Sequence, residues 1–263
     1  MKRKYLVTGS ASGIGLATKK KLESLGHIVY GVDIKDAEII ADLSTREGRK
    51  LATKSALEKS GGTLDALIAN AGSGKSEAKT VSINFFGATE LISSLHAALK
   101  NSGAPRVVAT SSMASLMQVD DELVSFMLAG EEENSLKRAQ ALVAKGGGAE
   151  GLIYSSTKRA LSRWIRRECI KDEWAKAGIP INAVGPGIVK TPMVSEMIAT
   201  ETGRLNLAKV VPMPLHGYLE PESVADLIIW LASESNSHVT GQTIYIDGGS
   251  DAVIRGDDIW ART

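Results

Sequence analysis

Two groups of residues have types and spacings suited to chemistry. One is Tyr154 and Lys158 in the stretch YSSTK. Four positions apart on a helix, a phenol and an ammonium lie one turn apart on the same face and can act together. Alone, the pair reads equally as a surface tyrosine beside a solvated lysine. The other group is TGSASGIG, where Gly9, Gly13 and Gly15, with Ser12 and Ile14 among them, directly follow a short apolar run and open a helical pattern. Glycines there let backbone approach a pyrophosphate, and a helix N-terminus supplies free N–H donors and a positive dipole. An ordinary tight turn is the alternative.

Asp33 closes the next apolar run, 18 positions after Gly15. A carboxylate at that place accepts hydrogen bonds from the adenosine ribose hydroxyls and repels a 2′-phosphate. Ser10, Ala11 and Ser12 offer no cation to hold such a phosphate, and Lys35 lies beyond the acid. The pattern therefore favours NAD over NADP. Asp42 and Leu43 follow where an adenine edge could be bracketed, and Asp42 suits a helix cap or turn equally well.

The elements that must position these groups follow a regular alternation. The apolar runs KYLVT, HIVYGVD, LDALIANAG, PRVVATSS, IPINAVGPG and TIYIDGG are separated by helical patterns at residues 14–25, 45–57 and 80–99, from Tyr154 onward, and at PESVADLIIWLAS. Continuous apolar runs of this length point to strands buried on both faces of a parallel sheet. Right-handed crossovers then give an α/β fold, a doubly wound, Rossmann-like sheet in one domain spanning residues 1–263. Residues 119–151 break the rhythm. They run acidic and then basic, read as one or two amphipathic helices and end in glycines. This helical insertion before the Tyr154 helix is either a solvated surface excursion or a lid or oligomer contact beside the site.

Composition narrows the classes. A chain of 263 residues can bury one sizeable core, and a net charge of +1 with dispersed basic residues suggests neither a nucleic-acid groove nor an anionic membrane surface. Cys169 is the only cysteine, which excludes an internal disulfide and fits a reducing compartment. A buried structural thiol is expected. The four histidines, His27, His96, His216 and His238, are scattered without ligand spacing, so no metal is expected. The apolar stretch after the N-terminal charges is too short for a signal-peptide core, and no run reaches the roughly 18 apolar residues of a spanning helix. A soluble, cytoplasmic protein is the expectation.

Taken jointly, TGSASGIG, NAG at residues 70–72, Ser111-Ser112, YSSTK and Pro186-Gly187 resemble the short-chain dehydrogenase/reductase family in its compact form, in order and spacing across nearly the whole chain. The resemblance implies an enzyme with catalytic Ser112, Tyr154, Lys158 and Asn84, the last from VSINFFGA. A tyrosine has a reference pKa near 10, too high for an efficient base at neutral pH. A lysine one turn away and the cationic nicotinamide of bound NAD⁺ would favour the phenolate, letting Tyr154 take the proton of an alcohol or return it to a nascent alkoxide. Ser112 would hydrogen-bond the substrate oxygen, and Asn84 would hold a water that links Lys158 to solvent. Without the other motifs, Ser112 reads as a strand-end residue capping its own backbone, and Asn84 as one satisfying a backbone group. Asn70, Ala71 and Gly72 would stand on the cofactor side, Asn70 mainly bracing the central strands. Pro186, Gly187, Ile188 and Thr191 would line the nicotinamide side. Gly185 departs from the alanine or serine common in the family, a change expected to be tolerated while loosening the turn.

A closer resemblance, in VDIKDAEIIADLSTREGR, NFFGATEL, the insertion and IDGGSDAV, is to the family's bacterial 3α-hydroxysteroid dehydrogenase/carbonyl reductase branch. It implies interconversion of a secondary alcohol and a ketone, a 3α-hydroxysteroid and its 3-oxosteroid. The alternatives are a general carbonyl reductase for non-steroidal ketones and a non-catalytic NAD(H)-binding regulator. Leu116, Met117, Met193 and Met197 could wall an apolar substrate pocket, with residues 192–210 forming a substrate-side loop and helices; core packing serves those four equally. A homodimer or homotetramer is expected, and the tail DAVIRGDDIWART, with Trp260, is either a subunit contact or a frayed terminus.

Overall fold

The computed structural model describes residues 2–260. Among these, seven strands form one sheet: β1 (Lys4–Thr8), β2 (Ile28–Asp33), β3 (Ile39–Ile40), β4 (Ala66–Ala69), β5 (Arg106–Thr110), β6 (Ile181–Pro186) and β7 (Thr243–Ile246). Their order is β3-β2-β1-β4-β5-β6-β7, and every pairing is parallel. A parallel sheet needs both faces covered, and the sequence supplies the apolar residues for both. Along β1, Leu6 faces one core while Tyr5 and Val7 face the other, as the twofold period of a strand requires. The helices Arg46–Ser60, Gly87–Ser94 and Leu152–Glu168 cover the first face, and Gly13–Ser24 and Pro221–Leu231 the second. The strand order reverses between β1 and β4, which opens a crevice outside their C-terminal ends.

Three features depart from the sequence pattern. The edge strand β3 is two residues long and is made by DAEII, too short for a recognisable run. The stretch expected as one helix over residues 80–99 is divided into Lys79–Val81, a π turn at Ser82–Phe86, Gly87–Ser94 and His96–Lys100. The π turn carries Asn84; such widened turns recur at functional sites. The tail forms a short helix, Ser250–Arg255, and leaves Trp260 79% exposed; residues 261–263 of the expected contact lie outside the described residues.

The insertion is not a solvated excursion. Its helices Asp121–Leu128 and Glu132–Lys145 bury Leu123, Val124, Met127, Ala139 and Leu142 in the same core as the sheet's first face. Each of the larger aliphatic side chains contributes on the order of 1.5–3 kcal/mol of burial. The amphipathic pattern was legible; that its apolar face docks on the Tyr154 helix was not.

Candidate active site

The glycine loop is built by close approach. Gly9 has φ +67°, and a Cβ there would stand 2.9 Å from Ala71 Cα, so the turn out of β1 can pass beside β4 only as glycine. A Cβ on Gly15 would lie 2.1 Å from the Gly9 carbonyl oxygen. Gly15 therefore seats the Gly13–Ser24 helix against the strand and sits beneath the cavity rather than on its wall. Ser12 occupies the N-cap with extended backbone and no side-chain cap, so no serine oxygen occupies the first-turn N–H groups. A Cβ on Gly13 would come within 3.0 Å of Thr191, across the cavity. These are the features a pyrophosphate cradle needs.

Asp33 ends β2 facing that loop. Its Oδ2 accepts the Ala11 N–H at 2.9 Å and Oδ1 accepts the Ile34 N–H at 2.7 Å, leaving carboxylate lone pairs for further donors. Asp42 forms an Asx turn: Oδ1 accepts the Ser44 N–H and Oγ–H at 3.0 and 2.6 Å, and Oδ2 meets Lys79 Nζ at 3.1 Å. Burial would raise its carboxyl pKa, but the Ser44 bonds and then Lys79 outweigh it and hold the value below the ordinary one. The cap of the following helix is Thr45, not Asp42. Both Asp42 and Leu43 line the cavity.

Around these residues lies a cavity of about 390 Å³ that runs from Asp33, Asp42 and Leu43 past Gly9, Ser12, Gly13 and Ile14 to Ser112, Tyr154 and Lys158. Asn70, Ala71, Gly72, Pro186, Gly187 and Thr191 share its wall. Among the described residues that line it, Lys158 is the only lysine or arginine. Asn70 and Ala71 donate their N–H groups to Thr8 Oγ1 at 3.0 and 2.9 Å, and Thr110 Oγ1 donates to Asn70 Oδ1 at 3.0 Å. Asn70 thus ties β1, β4 and β5 together while touching the cavity.

At the chemical end, Lys158 is buried and donates to the Thr110 carbonyl at 2.8 Å, with Nζ 5.7 Å from the Tyr154 ring centroid. Burial lowers its pKa to about 8, so the ammonium still predominates at neutral pH. Burial pushes the Tyr154 phenol up, and a hydrogen bond with Ser112 offsets this only in part. The pair is therefore on one helix face as its spacing requires, but Lys158 by itself does not lower the phenol.

Ser112 combines both expected roles in position. Its Oγ accepts the Ala114 N–H at 3.1 Å, capping the Met113–Leu116 turn, while facing Tyr154. Ser111 Oγ donates to the Lys158 carbonyl at 3.1 Å and contacts Ser162 Oγ at 2.8 Å, bracing the helix. Asn84 lies behind the wall: Nδ2 donates to the Ser73 carbonyl and to Thr157 Oγ1 at 2.9 and 3.1 Å, and Oδ1 accepts the Ser73 N–H at 2.7 Å. Its side chain satisfies backbone, as the plainer reading has it. A Cβ on Gly72 would lie 3.2 Å from Asn84 Oδ1 and 3.6 Å from Lys158 Nζ, so both flank that glycine.

Next to the Ser112 turn lies an apolar cluster rich in methionine. Met113, Ile188 and Val211 form a buried cluster with Met117, Val194, Ile198, Leu207 and Met213 packed on it. Of the four residues expected on an apolar wall, Met193 lines the cavity; Met117 packs on the Met113 cluster, Leu116 is half-buried, and Met197 is 45% exposed. Ile188 is also withdrawn, its N–H meeting Met213 Sδ at 3.3 Å. Met213, which has no local sequence signal, packs on the same cluster. Gly185 does not loosen a turn: it lies inside β6, where a Cβ would stand 2.5 Å from the Tyr245 ring. The glycine seats that ring, whose hydroxyl meets Ser115 Oγ at 2.9 Å next to the Ser112 turn.

Fold and site together define a doubly wound dinucleotide-binding protein with a tyrosine–lysine pair at the far end of its crevice. A family model described as enoyl-(acyl carrier protein) reductase matches residues 9–251. The chain is 40% identical to the 3-alpha-hydroxysteroid dehydrogenase/carbonyl reductase of Comamonas testosteroni, over 95% of this chain and 97% of that one. A tropinone reductase homolog from Arabidopsis thaliana is 30% identical over 93% and 91%. The crystal structure of the 3-alpha-hydroxysteroid dehydrogenase from Pseudomonas sp. B-0831 complexed with NADH superposes with a TM-score of 0.89 at 34% identity, over 97% of this chain and all of that one. The chain belongs to the short-chain dehydrogenase/reductase family and is an oxidoreductase using a nicotinamide cofactor.

Proposed function

We propose that the protein is an NAD(H)-dependent dehydrogenase interconverting a 3α-hydroxysteroid and its 3-oxosteroid. The observation that carries this reading is one continuous cavity with Asp33 at one end and Ser112, Tyr154 and Lys158 converging at the other. Gly9, Ser12, Gly13 and Ile14 would hold the pyrophosphate of the cofactor, Asp33 the adenosine ribose, and Pro186, Gly187 and Thr191 the nicotinamide side. Ile188 and Gly15 support this surface from beneath. The absence of any Arg or Lys but Lys158 among the described lining residues supports NAD over NADP. Bound there, a nicotinamide supplies the hydride acceptor for alcohol oxidation and the donor for carbonyl reduction.

The chain's own work is proton transfer and orientation. Ser112 donates to the substrate oxygen and holds it against Tyr154. In oxidation the Tyr154 phenolate accepts the hydroxyl proton; in reduction the phenol returns it to the carbonyl oxygen. Because burial raises the phenol, the nearby ammonium of Lys158 and positive charge in the cavity must together favour the ionised form. Asn84 and Thr157 hold the Ser73 segment and the helix on which Lys158 stands. The methionine-rich cluster gives a deformable apolar surface suited to a rigid polycyclic substrate. The half-exposed Met193 at the rim also suits non-steroidal ketones, the second reading.

No helix among the described residues is long and apolar enough to cross a membrane, and no cluster of metal-ligating groups occurs among them. The buried thiol of Cys169 supports a cytoplasmic setting, and a homodimer or homotetramer is part of the proposal. Replacing Tyr154 with phenylalanine tests the mechanism. Turnover of any secondary alcohol should fall at least about 100-fold, the scale of a lost acid–base catalyst, while NADH binding persists. Unchanged turnover would overturn the assignment.

A further inference from the structure

The insertion grips both ends of the cavity. At the chemical end, Ser155 Oγ donates to the Gln118 carbonyl at 2.6 Å and the Asp120 N–H to Ser156 Oγ at 2.9 Å. Asp120 caps the first insertion helix through the Leu123 N–H at 2.8 Å and binds Arg138 of the second at 2.6 and 3.0 Å. The two serines between Tyr154 and Thr157 are thus the sockets into which the insertion fits. At the nucleotide end Glu132 meets two guanidiniums, the exposed Arg46 at 3.5 Å and the buried Arg49. Arg49, 2% exposed, gives two hydrogen bonds to the Glu132 carboxylate at 3.1 and 2.6 Å. Its Nε lies 2.6 Å from Glu90, and its NH1 also donates to the Leu43 carbonyl at 3.3 Å.

A guanidinium carries its donors in a rigid plane, so the paired bonds to the Glu132 carboxylate also fix where NH1 meets the Leu43 carbonyl. Leu43 stands on the cavity wall beside Asp42. Gly87 lets the neighbouring helix come close to that peptide: a Cβ there would stand 3.1 Å from the Leu43 oxygen and 3.2 Å from its Cβ. The Arg49 hydrogen bond is the side-chain tie that holds this part of the wall. We propose that Arg49 is a positioning residue through which the insertion, by way of Glu132, sets the adenine-side wall. This rests on the dinucleotide reading of the cavity.

The test compares Arg49→Lys, which keeps the charge and loses the fork, with Glu132→Gln, which keeps the shape and weakens the pair. NADH and AMP binding are titrated by calorimetry, and kcat and the alcohol KM are measured at saturating NAD⁺. R49K should weaken NADH and AMP alike by about tenfold, the scale of a lost charged hydrogen bond. E132Q should move both in the same direction by less. At saturating NAD⁺, kcat and the alcohol KM should stay within about twofold, since the chemical end is untouched. A lower melting temperature with unchanged NADH and AMP affinity would overturn the proposal, as would equal losses in kcat. Should R49K not fold, E132Q decides by the same readings. Failure of the wild-type protein to bind NADH would instead defeat the dinucleotide reading.

Discussion

Lys158 should destabilise the protein it serves. The residue is 4% exposed, and burial lowers its pKa from 10.5 to about 8. That drop corresponds to roughly 3 kcal/mol against the charged form at neutral pH. Replacing Lys158 with methionine removes this cost and keeps an apolar chain of similar length. It also removes the hydrogen bond to the Thr110 carbonyl, worth about 1 kcal/mol. The net expectation at pH 7 is a variant about 2 kcal/mol more stable, which raises Tm by roughly 4–8 °C in a domain of this size. The sign with pH is fixed too. Between pH 8 and 10.5 the unfolded chain binds the Lys158 proton and the folded one does not, so wild-type stability rises with pH there. K158M lacks that rise, and the gap between the two proteins closes as pH passes through 8 toward 10.5. Scanning calorimetry on ligand-free protein at pH 7 and pH 9.5 measures both, and taking the difference between proteins cancels the other titrating groups. Turnover should collapse in the same variant, a trade of stability for function. A K158M protein less stable than wild type at pH 7, or one with the same pH slope, would refute the reasoning.

Two further expectations follow from charge placement. Changing Asp33 to alanine removes the carboxylate that repels a 2′-phosphate, so the preference for NAD over NADP should fall by about tenfold or more. Retained selectivity in paired titrations would show that the ribose contact lies elsewhere. Asp120→Ala removes the cap on Leu123 and should cost about 1–2 kcal/mol at pH 7 in urea denaturation. Arg138 holds the Asp120 carboxyl below its usual range, so its contribution is present above the ordinary carboxylate pKa and is lost as pH falls through the depressed value. The difference between wild type and D120A should therefore shrink in acid.

What the sequence disclosed was local. Gly9, Gly13, Gly15, Asp33, Tyr154 and Lys158 signal their places through spacing along one turn or one strand, and each stands where that spacing demands. What it withheld depends on partners far along the chain. Arg49 meets Glu132 across 83 positions, and Ser155 meets Gln118 across 37. Neither pairing has a periodic signature, so the sequence left the insertion open between an excursion and a lid or oligomer contact, and its packing against the sheet's first face had no local signal. Gly185 read as a looser turn because its reason, the Tyr245 ring, lies on the next strand. The π turn at Asn84 was invisible because one extra residue per turn hardly alters an amphipathic pattern. Met193 lines the cavity while Met117 packs on the Met113 cluster beside it, a division that polarity alone does not encode.

The most direct measurement is the initial rate of NAD⁺ and NADP⁺ reduction on a 3α-hydroxysteroid, its 3β-epimer and simple secondary alcohols. The account predicts rapid turnover of the 3α-alcohol with NAD⁺ and little with its epimer or with NADP⁺. Turnover confined to NADP⁺, or none of any alcohol by a protein that binds NADH, would contradict it.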